Sequence, residues 1–124
     1  MASDRENTDI FVSLSDVHPD GRSIELGGKG QLRLSHRDGM PPKPLMPNEV
    51  TQIRIEANWV HHAFQPGHRI RIAISSSGYP YCARNPGTFT SWADDTVLLP
   101  QTNSVHHGGA YRSRVILPVI SEKV

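Results

Sequence analysis

The sequence predicts an all-β domain of two antiparallel sheets packed face to face, and three observations carry that prediction. Ten Pro and ten Gly are spread through 124 residues rather than pooled in one linker, a punctuation that suits short strands. Apolar and polar residues alternate with a period of two in several stretches. No long window keeps a helical apolar period without a Pro or Gly interrupting. In the nearest case, residues 49–64, Val50, Ile53, Ala57, Val60 and Phe64 fit that period, but β-branched Thr51, Ile53 and Ile55 favour strand.

Taken in order, Ile10, Val12 and Leu14 share one face of a first strand, with Phe11, Ser13 and Ser15 on the other. His18-Pro19-Asp20-Gly21 supplies a turn, Pro presetting φ and Gly accepting the positive φ that closes it. Ile24 and Leu26 start a second strand that breaks at Gly27-Gly28, and Leu32 and Leu34 alternate with Gln31, Arg33 and Ser35 in a third. Met40 to Pro47 holds four prolines and reads as an extended surface connection. Thr51, Ile53, Ile55 and Ala57 face one way and Gln52, Arg54 and Glu56 the other, the pattern of a half-buried strand. Gln65-Pro66-Gly67 makes a tight turn into a strand with Ile70, Ile72 and Ile74 on one face and Arg69 and Arg71 on the other. Val97 to Leu99, Val105 to His107 and Arg114 to Ile120 are further strand candidates. The last is apolar on both faces, which predicts burial between layers.

Composition bounds the function. The length fits one domain spanning 1–124 with a modest core. Thirteen Lys and Arg against twelve Asp and Glu give a net charge of +1, so no long-range field recruits nucleic acid or an anionic membrane. Cys82 stands alone, which excludes an internal disulfide and fits a reducing compartment. The start, MASDRENTD, is polar with no apolar signal region, and no window approaches the about 18 apolar residues of a spanning helix. A cytoplasmic location is expected, with residues 1–8 flexible.

Several constellations invite chemistry. Ser75-Ser76-Ser77-Gly78 has no Gly two residues before any serine, so it lacks the G-x-S-x-G presentation of a nucleophile. Serines closing an apolar strand more often bond the turning backbone. Among seven histidines, His61-His62 and His106-His107 resemble ligand pairs, yet strand neighbours point to opposite faces and neither pair chelates an ion alone. One histidine of each pair can meet His68 or Asp94 in space, but surface or interface histidine is the better reading; no metal, cofactor or catalytic residue is assigned. Trp59, Phe64, Tyr79, Tyr81, Phe89 and Trp92 cluster in the middle of the chain, and Trp59 with Trp92 is the candidate aromatic platform for a sugar, against ordinary packing. Ser77, Tyr79, Tyr81, Arg84 and Asn85 populate a loop too long for a plain hairpin. It is either a clamp closed on itself or a docking element for a neighbouring domain.

Read together, TDIFVSLSDVHPDGRSIEL, FQPGHRIRIAISSSGYPYCARNPGT and HHGGAYRSRVILPVI resemble the C-terminal domain of the X-Pro dipeptidyl-peptidase and cocaine-esterase-like (CocE/NonD) serine hydrolases. The resemblance implies a jelly-roll β-sandwich of galactose-binding-like fold, appended to an α/β-hydrolase domain. That catalytic domain carries the family's triad and is the expected partner, so this chain alone is expected to be non-catalytic. The appended domain packs on the hydrolase, shapes its substrate cleft and sometimes joins subunits. Family domains carry strands before the first segment, and only eight residues precede Asp9. An N-terminally shortened sandwich is therefore expected, its open sheet edges covered by a second copy in a homo-oligomer. The alternatives are a carbohydrate-binding module of the same fold and a self-associating structural domain.

Overall fold

The alternation beginning at Ile10 resolves into the central strand of the larger of two sheets. In a computed structural model that describes residues 1–91 and 93–120, the strands are β1 (Ala2–Ser3), β2 (Asp9–Val17), β3 (Ser23–Arg33), β4 (Arg69–Ser75) and β5 (Asn103–Ser104). β2 lies between β3 and β4 and is antiparallel to both, while β1 pairs with β5 in a second antiparallel sheet. The chain is all-β: among the described residues the helical content is a single 3-10 turn, Leu34–His36. No helix among them is long and apolar enough to cross a membrane.

The two strands expected on either side of Gly27-Gly28 are one. β2 advances two residues from Ser13 to Ser15 while β3 advances four from Glu25 to Lys29, so β3 bulges opposite Leu14 and pairing resumes beyond. Gly27, at φ 77°, supplies the backbone conformation this needs. Leu34, expected in that strand, instead enters the 3-10 turn and is almost fully buried.

The strand expected over Thr51–Ala57 does not form as such. It makes one bridge, Ala57 to Gly30, because the segment crosses the face of the larger sheet instead of extending its edge. Glycine makes room for the crossing: a Cβ on Gly30 would meet the Glu56 carbonyl at 2.7 Å, and one on Gly28 would meet Val60 Cγ2 at 2.8 Å. Ile53 and Ile55 thereby reach the core of Ile10, Leu34 and Leu45, with Met1, Val12 and Leu32 around it.

Leu45 corrects a second expectation, since the proline-rich connection that carries it is anchored in the core. Prolines bring no N–H to satisfy, Leu45 N donates to Glu6 O at 2.7 Å, and Arg37 Nη1 caps the carbonyls of Leu34 and Lys43. Residues 1–8, expected to be flexible, are tied in as well. They form β1, Ser3, Asn7 and Thr8 are buried, Asn48 N donates to Ser3 O, and the Met1 ammonium donates to Thr51 O.

The C-terminal third departs furthest. Val97 to Leu99, Val105 to His107 and Arg114 to Ile120 form no strand, and β5 is the regular element of that third among the described residues. Val115, Ile116, Leu117, Val119 and Ile120 are all exposed. A segment apolar on both faces needs a layer on each side, and a second sheet two residues deep cannot supply one.

Candidate functional site

The loop following β4 lies over the Phe11 face of β2, and glycine sets how closely. A Cβ on Gly78 would meet the Phe11 ring at 2.7 Å, so only a bare backbone passes there. The serines act on the local backbone, as their position at a strand end suggested: Ser75 Oγ donates to Ser77 O, and Ser77 Oγ accepts from Tyr79 N. Cys82 N then donates to Gly78 O, and Cys82 Sγ points to Gln31 Oε1 at 3.4 Å.

Asn85 closes the far end. Its Nδ2 donates to Asp9 Oδ1 at 2.9 Å, its Oδ1 accepts from Gly87 N at 2.9 Å, and its carbonyl accepts from Gln101 Nε2 at 2.8 Å. Asp9 also receives both arms of the Arg33 fork, Nε at 2.8 Å and Nη2 at 2.9 Å, and the hydrogen bonds that Arg33 donates to Asp9 raise the guanidinium's pKa further. Between this knot and the loop is an open cavity of about 300 Å³, lined by Asp9, Phe11, Gln31, Leu32, Arg33, Cys82 and Ala83.

The five loop residues singled out from sequence therefore divide. Asn85 holds the loop to Asp9 of β2 and Ser77 bonds the turning backbone at the loop's start, while Tyr79, Tyr81 and Arg84 turn outward, Arg84 stacking 4.7 Å over the Tyr79 ring and Tyr81 94% exposed. Trp59 is 95% exposed, and Trp92, the other half of the expected aromatic platform, lies outside the described residues.

The histidines assemble around a residue that sequence reasoning passed over. Asp16 is 3% exposed, with His62 Nε2 donating to its Oδ2 and His68 Nδ1 to its Oδ1, both at 2.9 Å. His18 packs its ring 4.3 Å from that of His68. Burial pushes the Asp16 carboxyl up; the hydrogen bonds from His62 and His68, and the charge of His68 and His18, outweigh it and hold the group below the usual carboxylate range. The signal was present in the sequence: Asp16 continues the Ile10, Val12, Leu14 register, a carboxylate on an apolar face that demands partners. His61 is exposed, and neither His106-His107 nor Asp94 joins the cluster. The serine–histidine side-chain contact among the described residues, Ser35 Oγ to His36 Nδ1 at 3.1 Å, joins chain neighbours, and no carboxylate contacts that imidazole.

Residues 1–116 match the family described as the X-Pro dipeptidyl-peptidase C-terminal non-catalytic domain. The chain is 32% identical over 123 residues to cocaine esterase of Rhodococcus sp. strain MB1 Bresler, covering 97% of this chain and 21% of the relative. It is 34% identical over 129 residues to proteins of Mycobacterium bovis and Mycobacterium tuberculosis whose names class them as serine esterases, covering 90% of this chain and 19% of each. It thus spans about a fifth of the length of these relatives. With its antiparallel all-β architecture and its clamped loop after β4, the chain belongs to the family of X-Pro dipeptidyl-peptidase C-terminal non-catalytic domains.

Proposed function

We propose that this chain is an accessory β-sandwich of jelly-roll type that packs against an α/β-hydrolase catalytic domain of serine-esterase or dipeptidyl-peptidase type and forms one wall of its substrate cleft. One observation carries the reading. The chain exposes 9448 Å², whereas a folded monomer of 13.8 kDa exposes about 6600 Å². The excess, about 2800 Å², is surface that a folded monomer of this mass ordinarily buries. It includes Ile70 and Ile74 of β4, 51% and 49% exposed, and Ile116 and Ile120, 76% and 80% exposed. On this reading Tyr79, Tyr81 and Arg84 are the outward groups through which the loop meets the neighbour, since aromatic and Arg side chains dominate interface anchors.

The test is a graft of this chain in place of the matching fifth of Rhodococcus cocaine esterase. The hybrid is expected to be soluble and to hydrolyse esters. Ile70→Asp and Ile116→Asp, at exposed sites, are expected to abolish assembly in the hybrid while leaving unfolding of the separate chain unchanged. A hybrid in which the grafted segment folds without contacting the catalytic part would refute the proposal. So would a separate chain that dimerises stably through β4, or one that binds glycans through Trp59.

A further inference from the structure

We propose that Asp16, His18 and His68 form a site for one transition-metal dication of the zinc type. The register places the ligands. Val17 pairs with Arg69 at the end of the β2–β4 ladder, so His18 and His68 occupy the next facing position, on the same side of the sheet as Asp16. Two turns fix them there: His18 N donates to Arg22 O at 2.8 Å and Gly21 N to His18 O at 2.9 Å, while His68 N donates to Gln65 O at 3.0 Å.

One donor atom each from Asp16, His18 and His68 lie within 4.8 Å of one another. With bonds of about 2.0–2.1 Å, tetrahedral zinc holds its ligands about 3.4 Å apart. The Asp16–His68 pair, at 2.9 Å, opens by about half an ångström on ligation, and a rotation of the partly exposed His18 ring closes the rest. Two imidazole nitrogens and one carboxylate oxygen, with a fourth position left to water, suit zinc, whereas calcium and magnesium call for a shell of oxygens.

The observation that separates a metal site from a hydrogen-bond hub is His18. His62 and His68 satisfy both Asp16 oxygens, and the His18 ring makes no hydrogen bond among the described residues. A hub is complete without it, while a dication uses it as a ligand. Ligation replaces the His68–Asp16 hydrogen bond by bonds to the metal, and each imidazole binds in its neutral form.

The experiment is titration of the chelator-treated chain with Zn²⁺ by calorimetry, and with Co²⁺ followed by visible absorption. One equivalent is expected to bind at about micromolar Kd or tighter, with the intense absorption of tetrahedral Co²⁺. His18→Gln is expected to weaken binding at least tenfold while the metal-free chain still folds and unfolds cooperatively, because Asp16 keeps its hydrogen bonds from His62 and His68. His107→Gln is expected to leave binding as it was. Wild-type affinity in His18→Gln overturns the proposal. So does binding abolished by His107→Gln, an octahedral Co²⁺ spectrum, or no binding at all.

Discussion

Replacing Asn85 by Ala tests whether the loop after β4 is clamped by its own chain or waits for a neighbour to hold it. The change removes the bond from Nδ2 to the Asp9 carboxylate and the bond from Gly87 N to Oδ1. A hydrogen bond to a charged group is worth about 1.5–3 kcal/mol and a neutral one about 0.5–1.5 kcal/mol. Asp9 keeps both arms of Arg33, so its charge is not stranded, and the loss falls in the lower half of that range, at about 2–3 kcal/mol. In equilibrium urea unfolding with an unchanged slope, the midpoint should fall by about 1–2 M. The cycle with Asp9→Ala should give a coupling of about 1–2 kcal/mol, as expected for residues in contact. An unshifted midpoint, or a coupling under about 0.3 kcal/mol, would show that Asn85 does not hold the loop and that its side chain serves the docking surface.

Gly30→Ala is expected to destabilise the chain by about 1–3 kcal/mol, the cost of overpacking, because its Cβ would push against the Glu56 carbonyl and Ile55. A neutral result in thermal unfolding would mean that the 53–60 segment does not cross the sheet there. Asp95 accepts hydrogen bonds from the Thr88 and Thr90 hydroxyls and from Val97 N, in that order of effect, and its carboxyl sits below its ordinary value of 3.8. A depressed folded value stabilises the fold above pH 3.8, and that contribution disappears as the pH falls through the lower folded value. The stability gap between the chain and Asp95→Asn should therefore narrow from pH 7 to pH 3 in urea unfolding, and a constant gap contradicts it. Trp59→Ala, at a side chain in full solvent, should move stability by less than about 0.5 kcal/mol. A larger loss in the same assay would mean that the indole packs on its own chain.

What the sequence could disclose is set by how local each cause is. The β2 and β4 alternations are intrinsic to nine- and seven-residue windows, and both strands form where the pattern places them. The turns at Gly21 and Gly67 also follow from residue type, since both glycines take positive φ. The crossing of residues 53–60 over β3 is a different matter. Its alternation is the same whether the segment pairs at an edge or lies across a face, and what selects the face is the absence of side chains at Gly28 and Gly30, far away in sequence. Leu45 illustrates the same limit, because nothing in a proline-rich stretch announces that one leucine is held against Ile10 and Leu34. At the candidate site the loop's punctuation was legible, but its division into holding and outward residues was not. That division depends on Asp9 and Arg33 meeting Asn85 across 76 residues of chain. Asp16 was legible in principle, as a carboxylate in apolar register, and its histidine partners only through the β2–β4 register.

The surplus of exposed surface also bears on how a neighbour must contact this domain. A standard interface buries about 800 Å² on each partner, so one contact of that size removes less than a third of the excess of about 2800 Å² over a monomer of this mass. The exposed apolar residues are also divided between separate elements. Ile70 and Ile74 belong to an edge strand of the larger sheet, while Val115 to Ile120 belong to a segment with no strand partner among the described residues. On the reading proposed above, a neighbour would add to the β4 edge and also layer over the C-terminal segment. The loop after β4 is then bounded by its Asp9–Asn85 clamp on the inside and by the neighbour on the outside. Such a loop has its position fixed by its own chain, so the docking proposed above would spend little entropy on ordering it.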